Sequence, residues 1–122
     1  MANEITVTQK LVVENGEFSE NISEVGQRFT QAAIGGHGPV LSIGTSEEDF
    51  PVGDVTVLGW LYLKNLDSTN YVTYGPKSGG AMVAFGRLEA GESALLRLEP
   101  GITIRGLANT AACKVKMLLL QD

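Results

Sequence analysis

Turn-forming residues interrupt this chain so often that little room is left for a helix of ordinary length. Fifteen glycines and four prolines are spread along it. They mark turns at Asn15-Gly16, Gly35-Gly36-His37-Gly38-Pro39, Asp67-Ser68-Thr69-Asn70, Pro76-Lys77-Ser78-Gly79-Gly80, Glu89-Ala90-Gly91-Glu92 and Pro100-Gly101. The segments between them are short and rich in aliphatic, β-branched and aromatic residues, as in Val40–Ile43, Val55–Lys64, Tyr71–Tyr74, Ala81–Leu88, Ser93–Leu98, Ile102–Ala108 and Cys113–Leu120. No window of helical length carries an apolar stripe at helical spacing. This punctuation predicts an all-β chain, an antiparallel β-sandwich of jelly-roll type with about eight to ten strands.

The first segment alternates. Ile5, Val7, Leu11 and Val13 fall on one face, with Glu4, Thr6, Thr8, Lys10 and Glu14 mostly on the other. It ends at Asn15-Gly16, a pair that tolerates the two positive φ angles of a type I′ hairpin turn. The returning segment, Glu17 to Ser23, is polar and reads as an edge strand with Phe18 and Ile22 as its inward contacts. Gln27–Ala33 reads as a further segment. In Val55–Lys64, Val55, Val57, Leu61 and Leu63 share one face, and Leu58, Trp60 and Tyr62 the other. Two apolar faces predict a strand covered on both sides, by its own domain and by a neighbouring subunit. A small repeat, Arg87-Leu88-Glu89-Ala90-Gly91 and Arg97-Leu98-Glu99-Pro100-Gly101, reads as two strand ends at the same end of the sandwich.

At 122 residues the chain has the size of one domain. Residues 1–122 are therefore expected to form a single sandwich, with 1–14 as an extended arm or edge strand. A composition of 43% hydrophobic and 19% charged residues is that of a folded chain. The net charge of −5 is unevenly placed: residues 1–54 hold nine acidic and two basic side chains, residues 55–122 five acidic and seven basic. An acidic chain is a poor ligand for a nucleic-acid backbone. The asymmetry instead suits contact between the acidic half of one subunit and the basic half of another. Cys113 is the single cysteine, which rules out an intrachain disulfide and favours a reducing compartment. Met1-Ala2-Asn3-Glu4-Ile5 lacks the basic start of a signal peptide, and Met117-Leu118-Leu119-Leu120 is too short to span a bilayer. Synthesis in a cytoplasm without membrane contact is the expectation.

Chemistry-bearing residues are few. His37 is the one histidine, and no Gly-x-Ser-x-Gly elbow accompanies it. Glu47, Glu48, Asp49 and Asp54 offer oxygen ligands to a cation in one loop, at a spacing that matches no EF-hand. One Cys and one His fall short of a zinc site. The glycine-rich stretches lack the Lys-Ser/Thr of a phosphate loop. Cys113 stands beside Lys114 and Lys116 and reads as a small buried hydrophobe. Trp60, Tyr62, Tyr71 and Tyr74 are the aromatic candidates for a binding surface, with Ile5 and Val7 added from the N-terminal segment. The expectation is a chain without catalysis, cofactor or metal.

The stretch Gly59-Trp60-Leu61-Tyr62-Leu63-Lys64-Asn65-Leu66-Asp67 with Asn70-Tyr71-Val72 resembles small structural proteins encoded in tailed-phage genomes. So does Leu88-Glu89-Ala90-Gly91-Glu92-Ser93-Ala94-Leu95-Leu96-Arg97-Leu98 followed by Ala108-Asn109-Thr110-Ala111. The resemblance covers residues 59–121 and rests on scaffold positions: Asn65 and Asp67 as turn caps, Gly91 and Gly101 as positive-φ residues. It implies a virion component made in the host cytoplasm. A capsid decoration (cement) protein that contacts the major capsid protein or another virion protein, and other copies of itself as a trimer, comes first. A tail, fibre or baseplate subunit is the rival within that class, and a carbohydrate-binding module using Trp60, Tyr62 and Tyr71 the rival outside it.

Overall fold

In the computed structural model, which describes residues 2–122, every regular element is a β-strand and the chain divides after Ala33 into two compact units. The sandwich expected of residues 1–122 is built by Ile34–Asp122, and the residues before it form a hairpin of their own. The described residues form twelve strands, three of them only two residues long.

The first unit consists of β1 (Ile5–Asn15) and β2 (Phe18–Phe29), antiparallel and paired only with each other. The turn lies one residue further on than Asn15-Gly16. Asn15 pairs with Phe18 and belongs to the ladder, so Gly16 and Glu17 form the loop. Gly16 has φ of 60°, and Asn3 is the only described non-glycine residue with a positive φ. This is a type II′ arrangement, in which the first central residue alone takes the left-handed region and glycine does so without a Cβ clash. β2 also continues through Gln27 to Phe29, past a bulge in which Val25 and Gly26 stand opposite Thr8. The Gly26 N–H donates to Thr8 Oγ1 at 3.0 Å. The extra residue changes the parity of β2. As a result Phe29 joins Ile22 and Phe18 on the face that carries Ile5, Val7, Leu11 and Val13. Glu4 Oε1 ties the base of the hairpin by accepting from the Gln31 N–H at 3.0 Å.

The second unit holds two antiparallel sheets packed face to face. One has the order β10 (Ser93–Arg97), β6 (Leu58–Asn65), β12 (Cys113–Gln121), with β3 (Gly36–His37) and β4 (Val40–Ile43) in succession along the far side of β12. The other has the order β5 (Glu48–Asp49), β11 (Ile104–Ala108), β7 (Val72–Ser78), with β8 (Ala81–Met82) and β9 (Gly86–Leu88) along β7. Leu61, Leu63, Val115, Met117 and Leu119 of the first sheet meet Val72, Tyr74, Leu88, Ile104 and Ala108 of the second in one core. The alternation read in Val55–Lys64 breaks at Gly59: Leu58 is buried with Leu61 and Leu63, while Val57 is exposed. The cause is a register shift, since Gln121 pairs with Leu58 and Leu119 with Leu61. The repeated Arg-Leu-Glu-x-Gly units lie at opposite ends of β10, because β10 runs the length of the sheet between their two turns.

A buried asparagine joins the turns of the two sheets. Asn65 Nδ2 donates to the carbonyls of Asn70 (2.9 Å) and Leu88 (3.1 Å), and its Oδ1 accepts from the Asp67 N–H at 3.0 Å. Asp67 Oδ2 in turn accepts from the N–H groups of Asn70 (2.6 Å) and Thr69 (3.0 Å). These backbone bonds, that of Asn70 first, hold the Asp67 carboxyl below its ordinary value. Asn65 and Asp67 thus cap turns, as their positions suggested, and Gly91 and Gly101 have φ of 81° and 89°.

Candidate functional site

The β10-β6-β12-β4 sheet has one face in the core and one turned away from it, and alternation decides which side chains reach the outer face. On β6, Leu61, Leu63 and Asn65 are buried, which turns Trp60, Tyr62 and Lys64 outward. On β12, Val115, Met117 and Leu119 are buried, which turns Lys114, Lys116, Leu118 and Leu120 outward. The register sets these in rows. Leu95, Tyr62 and Leu118 form one row, Ser93, Lys64, Lys116 and Val40 the next, and Arg97 stands beside Trp60 on the other side. Tyr62 and Trp60 are half-buried, and Leu118 is 41% exposed. Lys114, Lys116 and Lys64 make the lower part of this face basic. Arg97 adds a cation above, paired with Asp122 at 2.7 Å. The result is an apolar centre in a basic frame.

The hairpin presents a face of the opposite kind. Leu11 and Ile22 pair directly across its strands and are 66% and 56% exposed, and Phe18 near the turn is 62% exposed. Glu24 lies in the row on one side of the Leu11–Ile22 pair, opposite Gln9, and Glu20 in the row on the other side, opposite Val13. The alternation of Glu17 to Ser23 predicts Phe18 and Ile22 as inward contacts, and in the structure both are open. They are exposed because a two-stranded ribbon has no second layer to cover them. Val7, offered as a contact residue, is buried and Ile5 is half-buried, so the open part of this face begins at Leu11.

The aromatic candidates separate. Tyr74 is only 7% exposed: its ring lies edge-on to Phe85 at 6.4 Å, and burial raises its hydroxyl pKa. It is a core residue and no stacking surface. Tyr71 is half-buried, with the Arg87 guanidinium 3.9 Å from its ring centre, so that face of the ring is already occupied by a cation–π contact. Trp60 and Tyr62 share the outer face of β6, as their parity required.

The acidic loop is organised around a cation of the chain itself. Arg105 Nε donates to Asp49 Oδ1 at 2.6 Å and its Nη1 to Glu47 Oε1 at 3.1 Å, and the two carboxylates, Asp49 first, raise the guanidinium pKa. Glu47 also accepts from the Met82 N–H and Glu48 from the Gly44 N–H. Asp54 stands apart on an exposed turn. Among the described residues no group of three or more His, Cys, Asp or Glu side chains is placed to hold a metal ion. His37 is half-buried against the backbone of Gly53, where a Cβ would come within 2.6 Å of its Nδ1. Cys113 is buried, and its thiol pKa is pushed up by burial and then by the charge of Asp67, the reverse of what a reactive thiol requires. Among the described residues no helix is long and apolar enough to cross a membrane.

Sequence reasoning missed Leu11, Leu118 and the lysines of β12 as surface groups. The signal for the lysines was present, since Lys114, Lys116, Leu118 and Leu120 share one parity. Compared with protein-family models, curated proteins and solved structures, the chain matches none.

Proposed function

We propose that this chain is a non-enzymatic structural subunit of a tailed-phage particle, and specifically a capsid decoration protein that binds the shell in many copies. The observation that carries a role in assembly is the hairpin: two strands of 11 and 12 residues on which Leu11, Val12, Phe18, Ile22 and Val25 stand open to solvent. A two-stranded ribbon is marginal alone in water, and an exposed apolar face of this kind is an association surface. The resemblance of residues 59–121 to small phage structural proteins directs the reading to a virion. The groups with chemical potential also favour binding over catalysis: the acidic loop grips Arg105, His37 packs on Gly53 and Cys113 is buried. The occupied face of Tyr71 weighs against a sugar-stacking platform of Trp60, Tyr62 and Tyr71.

The test is the solution mass of the purified protein by light scattering, with and without undecorated capsids of its parent phage. A decoration protein adds to the shell at a fixed stoichiometry. Self-assembly without shell binding would move the reading to a tail or fibre part, and a monomer that ignores the shell would overturn it.

A further inference from the structure

We propose that the hairpin of one molecule docks on the outer face of the β10-β6-β12-β4 sheet of a second molecule of the same chain. The inference deepens the reading of the chain as a self-assembling subunit and rests on that reading, but not on the shell. Charge and row spacing select this occupant.

On the hairpin, the exposed pair Leu11–Ile22 is flanked by Glu24 in one neighbouring row and Glu20 in the other. On the sheet, the row of Tyr62 and Leu118 is flanked by Lys64 and Lys116 on one side and by Arg97 on the other. Both patterns repeat every second residue along a strand, a spacing of roughly 6.5–7 Å in either surface. Apolar row can therefore meet apolar row while carboxylates meet the ammonium groups of Lys64 and Lys116 on one side and, on the other, the Arg97 guanidinium, whose charge Asp122 already shares. Each face is poorly suited to a copy of itself. Two hairpin faces would oppose four glutamates, and two sheet faces would oppose their lysines, and like charges brought together across an interface repel. The same feature that favours the hairpin-on-sheet contact thus disfavours the two symmetric ones. The contact joins different surfaces, so it is either made twice in a reciprocal two-fold dimer or passed head to tail into a larger ring or a filament. It also gives the hairpin the second layer that it lacks.

Charge reversal in the full-length protein tests this, with circular dichroism to confirm that each variant is folded. Glu20→Lys with Glu24→Lys on the hairpin, and separately Lys64→Glu with Lys116→Glu on the sheet, should each weaken self-association by about tenfold or more. The chain carrying all four changes should recover the wild-type mass, and an equimolar mixture of the two double variants should associate where neither variant does alone. A wild-type protein that is monomeric at every concentration overturns the inference. So does an oligomer whose mass neither swap changes, or one that the four-fold variant fails to restore. Shell binding by a monomeric wild type would leave the decoration reading standing while this one falls.

Discussion

The hairpin of residues 5–29 and the sandwich of residues 34–122 are written in the same alternating pattern, yet the sandwich buries its apolar face while the hairpin buries Val7 and displays Leu11, Phe18 and Ile22. Leu11 and Leu63 each lie on an apolar face of an alternating strand. Leu63 is fully buried because a second sheet lies over it, and Leu11 is exposed because the ribbon has one layer. Alternation specifies which side chains share a face. Only a second layer turns that face into a core.

The largest expected contrast follows from this. Leu63→Ala removes packing from both sheets and should destabilise the protein by about 3 kcal/mol in chemical denaturation. Leu11→Ala, at an exposed site, should change the stability of the monomer by less than about 0.5 kcal/mol. A comparable loss at both positions would show that the hairpin face is covered within the molecule. A smaller effect separates the regions from the other side. Gly16→Ala places a Cβ at φ of 60°, which costs on the order of 1–2 kcal/mol. The cost should fall on the hairpin alone, with faster hydrogen exchange at β1 and β2 amides and an unchanged melting temperature of the sandwich.

The smallest effect is in pH and belongs to the sandwich. The folded state holds the Asp67 carboxyl below its ordinary value through the N–H groups of Asn70 and Thr69. Its stabilising contribution is therefore complete above about pH 4, where the unfolded group is also ionised, and is lost as pH falls through the lowered folded value. Thermal melts of Asp67→Asn and wild type should differ at neutral pH and converge in acid. A difference that stays constant down to low pH would mean that the carboxylate's charge does not contribute.

Several features were legible residue by residue. The turn-capping roles of Asn65 and Asp67, the shared face of Trp60 and Tyr62, and the burial of Cys113 follow from local hydrogen bonding or from strand alternation. Those that depended on register were less visible. The type II′ turn shifts by one residue because Asn15 finds a partner in Phe18, and Leu58 enters the core because β6 gains a residue against β12. Tyr74 looked like its aromatic neighbours until the strand carrying it was placed with its ring against Phe85.

The sequence by itself determined the all-β class, the positions of most turns, the hairpin at the N-terminus and the uneven charge, since each depends on residues near one another in the chain. Tertiary structure alone decided that the acidic loop would close on Arg105, more than fifty positions away in the chain. It also decided that lysines of β6 and β12 would lie side by side and that the hairpin would stand as a unit of its own. Those outcomes depend on which strands pair and in what register, and pairing is set by the whole core rather than by any one segment.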